Sequence, residues 1–144
     1  MGIFVGILCG PLIALSAPPP PKANSNVEIT KHRLIYMFNK PGSVMVTVAI
    51  GEYESGARGT VEEMGFDRRR HRRPFGVSKA QFDKMSATLT SSGAEKYTGP
   101  EATGGFDFAN YYMFSTGKQF YAVPKSKASP GLASLAAKLE AYAK

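Results

Sequence analysis

The chain has 144 residues, with 18 lysines and arginines against 11 aspartates and glutamates, a net charge of +7, one cysteine and no tryptophan. That length fits one domain, and a hydrophobic share of 43% with 11% aromatics supplies one core and excludes a wholly disordered chain. The composition also excludes collagen-like and disulfide-stapled architectures.

Residues 1–17 carry no charged side chain, and Ile3, Phe4, Val5, Ile7, Leu8, Leu12, Ile13 and Leu15 form an apolar run. Pro11 interrupts the run, which falls short of the roughly 20 apolar residues that cross a bilayer core, so it reads as a secretion signal although the usual basic start is missing. Cleavage is expected after Ser16, because Ala14, Leu15 and Ser16 make a small-x-small site and Pro18 hinders a cut after Ala17. Leu8 stands before Cys9 where a lipid-anchored chain needs a small residue, so no lipid anchor is expected. Loss of residues 1–16 would leave no cysteine, hence neither disulfide nor thiol chemistry, in a secreted or periplasmic protein. Residues 17–26, with Pro18, Pro19, Pro20 and Pro21 at their start, make a linker that is first stiff and then flexible. One domain is expected over 27–144.

Residues 27–38 and 44–50 are rich in strand-favouring side chains, and Pro41 and Gly42 between them suit the central positions of a type II turn. Val44, Val46, Val48 and Ile50 are expected to share one face. Residues 51–77, with five glycines and mixed charges, read as a long loop holding at most one short strand over 60–66 and burying Val61, Met64, Phe66, Phe75 and Val77. Ser78 and Gln81 form a capping box for a helix carrying Phe82, Met85 and Leu89, which Gly93 closes. Residues 106–115 and 119–123 read as a second hairpin around Thr116, Gly117 and Lys118. Ser129 and Pro130 start a final helix with Leu132, Leu135, Ala136, Leu139 and Tyr142 along one stripe. The expected class is therefore α+β: an antiparallel sheet of two hairpins with two helices packed on one face, in the order ββαββα.

Arg68, Arg69, Arg70, His71, Arg72 and Arg73 are the unusual feature, since without the five arginines the net charge drops from +7 to +2. Six such residues in a row stay solvated or face an anion, with Glu62, Glu63 and Asp67 as partial balance. Guanidinium groups grip phosphate and carboxylate with a planar fork, so an anionic protein or polyanion is the expected partner of an arginine-rich loop. A second contact is expected from Phe106, Phe108, Tyr111, Tyr112 and Tyr97. Residues 105–111 resemble the aromatic strand of RNA-recognition domains, which would imply base stacking, but Gly104 replaces the basic residue, Asp107 is negative, and the element order differs. Residues 92–97 resemble the Ser-Gly-x-x-Tyr loop of periplasmic lysozyme inhibitors, with one residue too many and Gly93 already explained as a helix cap.

His32 and His71 are the two histidines, and neither shows metal spacing or a nearby nucleophile motif. His32 alternates with apolar residues as a half-exposed strand position. No phosphate loop, dinucleotide fingerprint or Gly-x-Ser-x-Gly is present, so no catalytic residue, cofactor or metal is expected. The sequence thus points to an exported, monomeric binding module and not to an enzyme. The alternatives are an inhibitor or immunity-type protein acting on an envelope enzyme, a small hydrolase with a hidden site, and an envelope protein held at the membrane by an uncleaved N-terminal segment.

Overall fold

The computed structural model describes residues 30–98 and 107–144. The expected signal, the linker, the start of the domain at Val27, and Phe106 lie outside the described residues. The described chain is α+β. It forms β1 (His32–Phe38), β2 (Ser43–Tyr53), β3 (Gly56–Gly65), β4 (Arg70–Phe75), α1 (Lys79–Ser91), β5 (Tyr111–Ser115), β6 (Phe120–Pro124) and α2 (Pro130–Ala141). All strand pairs are antiparallel, in the spatial order β4-β3-β2-β1-β5-β6.

The order is therefore ββββαββα, which corrects the expected ββαββα. The stretch read as a long loop holds β3 and β4. Its glycines and charges hide a regular alternation in which Gly59, Val61 and Glu63 of β3 face Phe75, Arg73 and His71 of β4. Gly59 leaves room for the Phe75 ring, since a Cβ there would lie 2.2 Å from Cε2 of that ring. Phe75 in turn stacks on Tyr142 just beyond α2, with ring centroids 4.2 Å apart.

The two expected hairpins are present. Lys40, Pro41, Gly42 and Ser43 form the turn between β1 and β2, with the Ser43 amide donating to the Lys40 carbonyl at 3.0 Å and Gly42 at φ 87°, a value open to glycine. In the second hairpin the Thr116 amide donates to the Gln119 carbonyl at 3.0 Å. The strand expected from residue 106 begins only at Tyr111, because Asp107 caps a preceding turn by accepting from the amide of Asn110 at 3.2 Å.

Both helices pack on one face of the sheet. Leu34, Tyr36, Val46, Val48, Ile50, Val61, Phe114 and Val123 from the strands meet Phe82, Met85, Leu89, Leu132, Leu135 and Leu139 from the helices. Ser78 caps α1 with the complete capping box, and Ser129 caps α2 ahead of Pro130. Val44 does not share the face of Val46: the register shifts between Ser43 and Met45, which buries Ser43 and leaves Val44 exposed. The second face of the sheet carries Ile35, Met37, Met45, Thr47, Ala49, Thr60 and Met64 by strand alternation. Among the described residues no helix packs on it, and none is long and apolar enough to cross a membrane.

Candidate anion-binding site

The arginine cluster is an edge strand and the turn before it, not a loop. Arg70, His71, Arg72 and Arg73 lie on β4, whose outer edge pairs with no other described strand. Alternation then splits the cluster. Arg72 stands opposite Glu62 and Arg70 opposite Met64, so both reach over the helix-free face. Arg72 donates to Glu62 Oε2 from Nε at 3.1 Å and Nη2 at 2.6 Å, and Arg70 Nη1 donates to Glu62 Oε1 at 3.4 Å. Arg73 turns to the helical face, where its Nη2 donates to the carbonyls of Tyr142 at 2.7 Å and Lys144 at 3.0 Å. These bonds tie the edge strand to the C-terminal end of α2.

The turn between β3 and β4 is built from Gly65, Phe66, Asp67, Arg68 and Arg69. Amide hydrogens of Gly65 and Arg68 donate to the carbonyls of Arg69 and Gly65, each at 3.0 Å, and the Asp67 carboxylate accepts from the Arg69 amide at 3.0 Å. Arg68 closes this turn at φ 62°, a left-handed position that glycine usually fills. It is the one non-glycine residue of positive φ among those described. The Arg68 side chain makes no hydrogen bond or ion pair among the described residues, while Arg69 lies 3.6 Å from Asp67. Glu63, expected to balance the arginines, points to the helical side instead. It binds Lys40 at 2.7 Å and accepts a short hydrogen bond from Ser43. Those two donors, Lys40 foremost, hold its carboxyl below the usual carboxylate range.

Two contributors escape a linear reading. Phe66, expected in the core, is 75% exposed at the tip of the arginine turn, and it and Val44 are the two large apolar side chains left exposed among the described residues. Ser43 pairs with Gly65, so Val44 and Phe66 sit at the same end of the sheet. At the other end Arg33 and Arg58 flank Gly51 in one line across β1, β2 and β3, and Arg58 lies 5.2 Å over the Tyr53 ring. Singly placed arginines give no signal in sequence, since only the register brings them into line.

The expected aromatic contact does not form one patch. Tyr111 lies on the helix-free face, Tyr112 on the helical face, and Tyr97 in a 3-10 turn (Ala94–Tyr97) packed against the core. Phe108 is half-buried in the turn before β5.

His32 opens β1, 71% exposed, in a groove of about 350 Å³ shared with Glu52, Asp83 and Ser86. Its Nε2 lies 4.0 Å from Glu52, while Lys79 holds Glu52 at 3.1 Å and Asp83 at 2.9 Å, which raises the Lys79 pKa, Asp83 contributing most. Among the described residues no hydroxyl or thiol is hydrogen-bonded to His32, and no three metal-ligating side chains converge. Comparison with protein families, curated proteins and solved structures gives no match.

Proposed function

We propose that the protein is an exported binding module that recognises an anionic protein or polyanion through Arg68, Arg69, Arg70 and Arg72. The observation that carries this reading is the backbone of Arg68. A left-handed conformation costs an L-residue about 1 kcal/mol, glycine would fill it freely, and strain of this kind gathers at functional positions. The guanidinium, without a partner among the described residues, is held out at the tip of a hairpin for that cost. The other three guanidinium groups share two carboxylates: Arg69 lies by Asp67, and Arg70 and Arg72 both by Glu62. These exposed pairs are worth about 0.2–1 kcal/mol each, so an incoming carboxylate or phosphate exchanges with them readily. Export is supported by the charge-free apolar start of the sequence.

The test is binding of polyglutamate and of heparin at low and high salt, with the chain and with a variant in which Arg68, Arg69, Arg70 and Arg72 are serine. Arg73 is kept because it ties the fold. Binding is expected to fall at least tenfold with salt and to vanish in the variant; equal binding by both proteins overturns the reading.

A further inference from the structure

Four of the six methionines, Met37, Met45, Met64 and Met113, fall on the face of the sheet on which no helix packs among the described residues. Met113 is buried there and the other three are half-buried. Unbranched, polarisable side chains re-pack against varied apolar partners, and sheet faces that serve only as solvent boundary do not need them. A concavity of about 450 Å³ lies on this face over β1 to β4, with Ile35, Thr47, Ala49 and Thr60 in its floor. Arg33, Arg58 and Arg72 line its margins, and Glu62 is the one acidic side chain among the described residues that line it. The exposed Phe66 and the arginine turn stand at one end.

We propose that this face seats an acidic amphipathic helix of another protein, its apolar side chains on Met37, Met45 and Met64 beside the concavity and its carboxylates against the arginines that line the concavity. Four strands about 4.8 Å apart give a floor roughly 14 Å wide, and a helix with its side chains is about 10–12 Å across. The length from Met45 to Gly51 is about 20 Å at 3.3 Å per residue, enough for roughly four helical turns. Among the described lining residues Arg33 and Arg72 outnumber the single carboxylate of Glu62, which fits an acidic ligand and opposes a second copy of this basic chain. The inference rests on the anionic-partner reading above and gives that partner a shape.

The experiment uses the full chain labelled with methyl-13C methionine. Its probes are an 18-residue helical peptide with leucines on one face and glutamates on the other, a scrambled peptide of the same composition, and phosphatidylglycerol vesicles. The helical peptide is expected to move the methyl signals of Met37, Met45 and Met64 and to leave that of Met85, buried between α1 and the sheet, in place. The scrambled peptide should bind at least tenfold more weakly, and Thr47→Glu, which places a like charge in the floor, should weaken the helical peptide at least tenfold with the dispersion of the spectrum intact. The proposal is overturned if the three signals stay fixed, if both peptides move them equally, if only vesicles do, or if they shift with protein concentration alone. Salt-sensitive binding of polyglutamate with the methionine signals fixed would overturn the trough and leave the arginine reading standing. Failure of polyglutamate to bind at low salt would overturn that reading as well.

Discussion

Tyr36 in the middle of β1 donates its hydroxyl hydrogen to Glu140 Oε1 on α2 at 2.8 Å, joining two residues 104 positions apart. Burial pushes the phenol pKa up, and the bond to Glu140 pushes it further, so the group stays a donor throughout the working range. Tyr36→Phe keeps the ring between Phe38 and Phe114 and removes only the donor. A loss of about 1.5–3 kcal/mol is expected from the urea midpoint, as for a hydrogen bond to a charged acceptor. An unchanged midpoint would mean that water replaces the hydroxyl at no cost.

Arg73→Ser separates structure from recognition within one cluster. Losing the two bonds to the carbonyls of Tyr142 and Lys144 should lower stability by about 0.5–1.5 kcal/mol while polyanion affinity changes less than threefold. Arg72→Ser should show the opposite pattern. Urea melts and salt-dependent titrations of the two variants decide it.

Replacing Arg68 by glycine removes the left-handed strain and the guanidinium together. Stability is expected to rise by up to about 1 kcal/mol and affinity for polyglutamate to fall. A variant that is more stable and binds as well as the parent would show that the arginine is there by accident.

Gly59→Ala places a methyl against the Phe75 ring and displaces it from Tyr142, so the edge strand and the end of α2 loosen together. The expected cost is roughly 1–3 kcal/mol. Phe75→Leu in the same background should recover part of it, because the smaller side chain no longer meets the added carbon. Thermal melts of the single and double variants read this out.

Glu63 gives the fold an acid-sensitive joint. Its carboxyl is held low by Lys40 and Ser43, with His71 opposite it on β4 adding to the pull. A carboxyl depressed by folding contributes stability above its unfolded pKa, about 4.3 for glutamate, and loses it as pH falls through the folded value. Stability of the parent should therefore drop between about pH 4.5 and the folded value more steeply than that of Glu63→Gln, the two curves converging in acid. Parallel curves would remove the joint from the account.

The helices and both expected hairpins were legible because each is written locally, in the capping box of Ser78 and Gln81, in Pro41 and Gly42, and in the leucine stripe of α2. The middle of the meander was not. Its inward positions are Gly59, Val61, Glu63, His71, Arg73 and Phe75, a set whose mean character is polar although its geometry is a regular strand pair. Glycine is present there to admit a ring from the neighbouring strand, and arginine to reach past the sheet edge to carbonyls at the chain's end, and neither purpose has a local signature. For the same reason the arginine run could be recognised as solvated, while its division between Arg73, bonded to the end of α2, and Arg70 and Arg72, which reach over the other face, waited on register.

The position of β1 has a consequence for assembly. It is the first described strand, yet one of its two sides is completed by β5, whose first residue comes 73 positions after Phe38. Until that segment arrives, a row of unpaired amides on an apolar strand stands open, the kind of template on which chains pair wrongly. The strand order thus sets the sequence of closure: the sheet is sealed at its middle, and last.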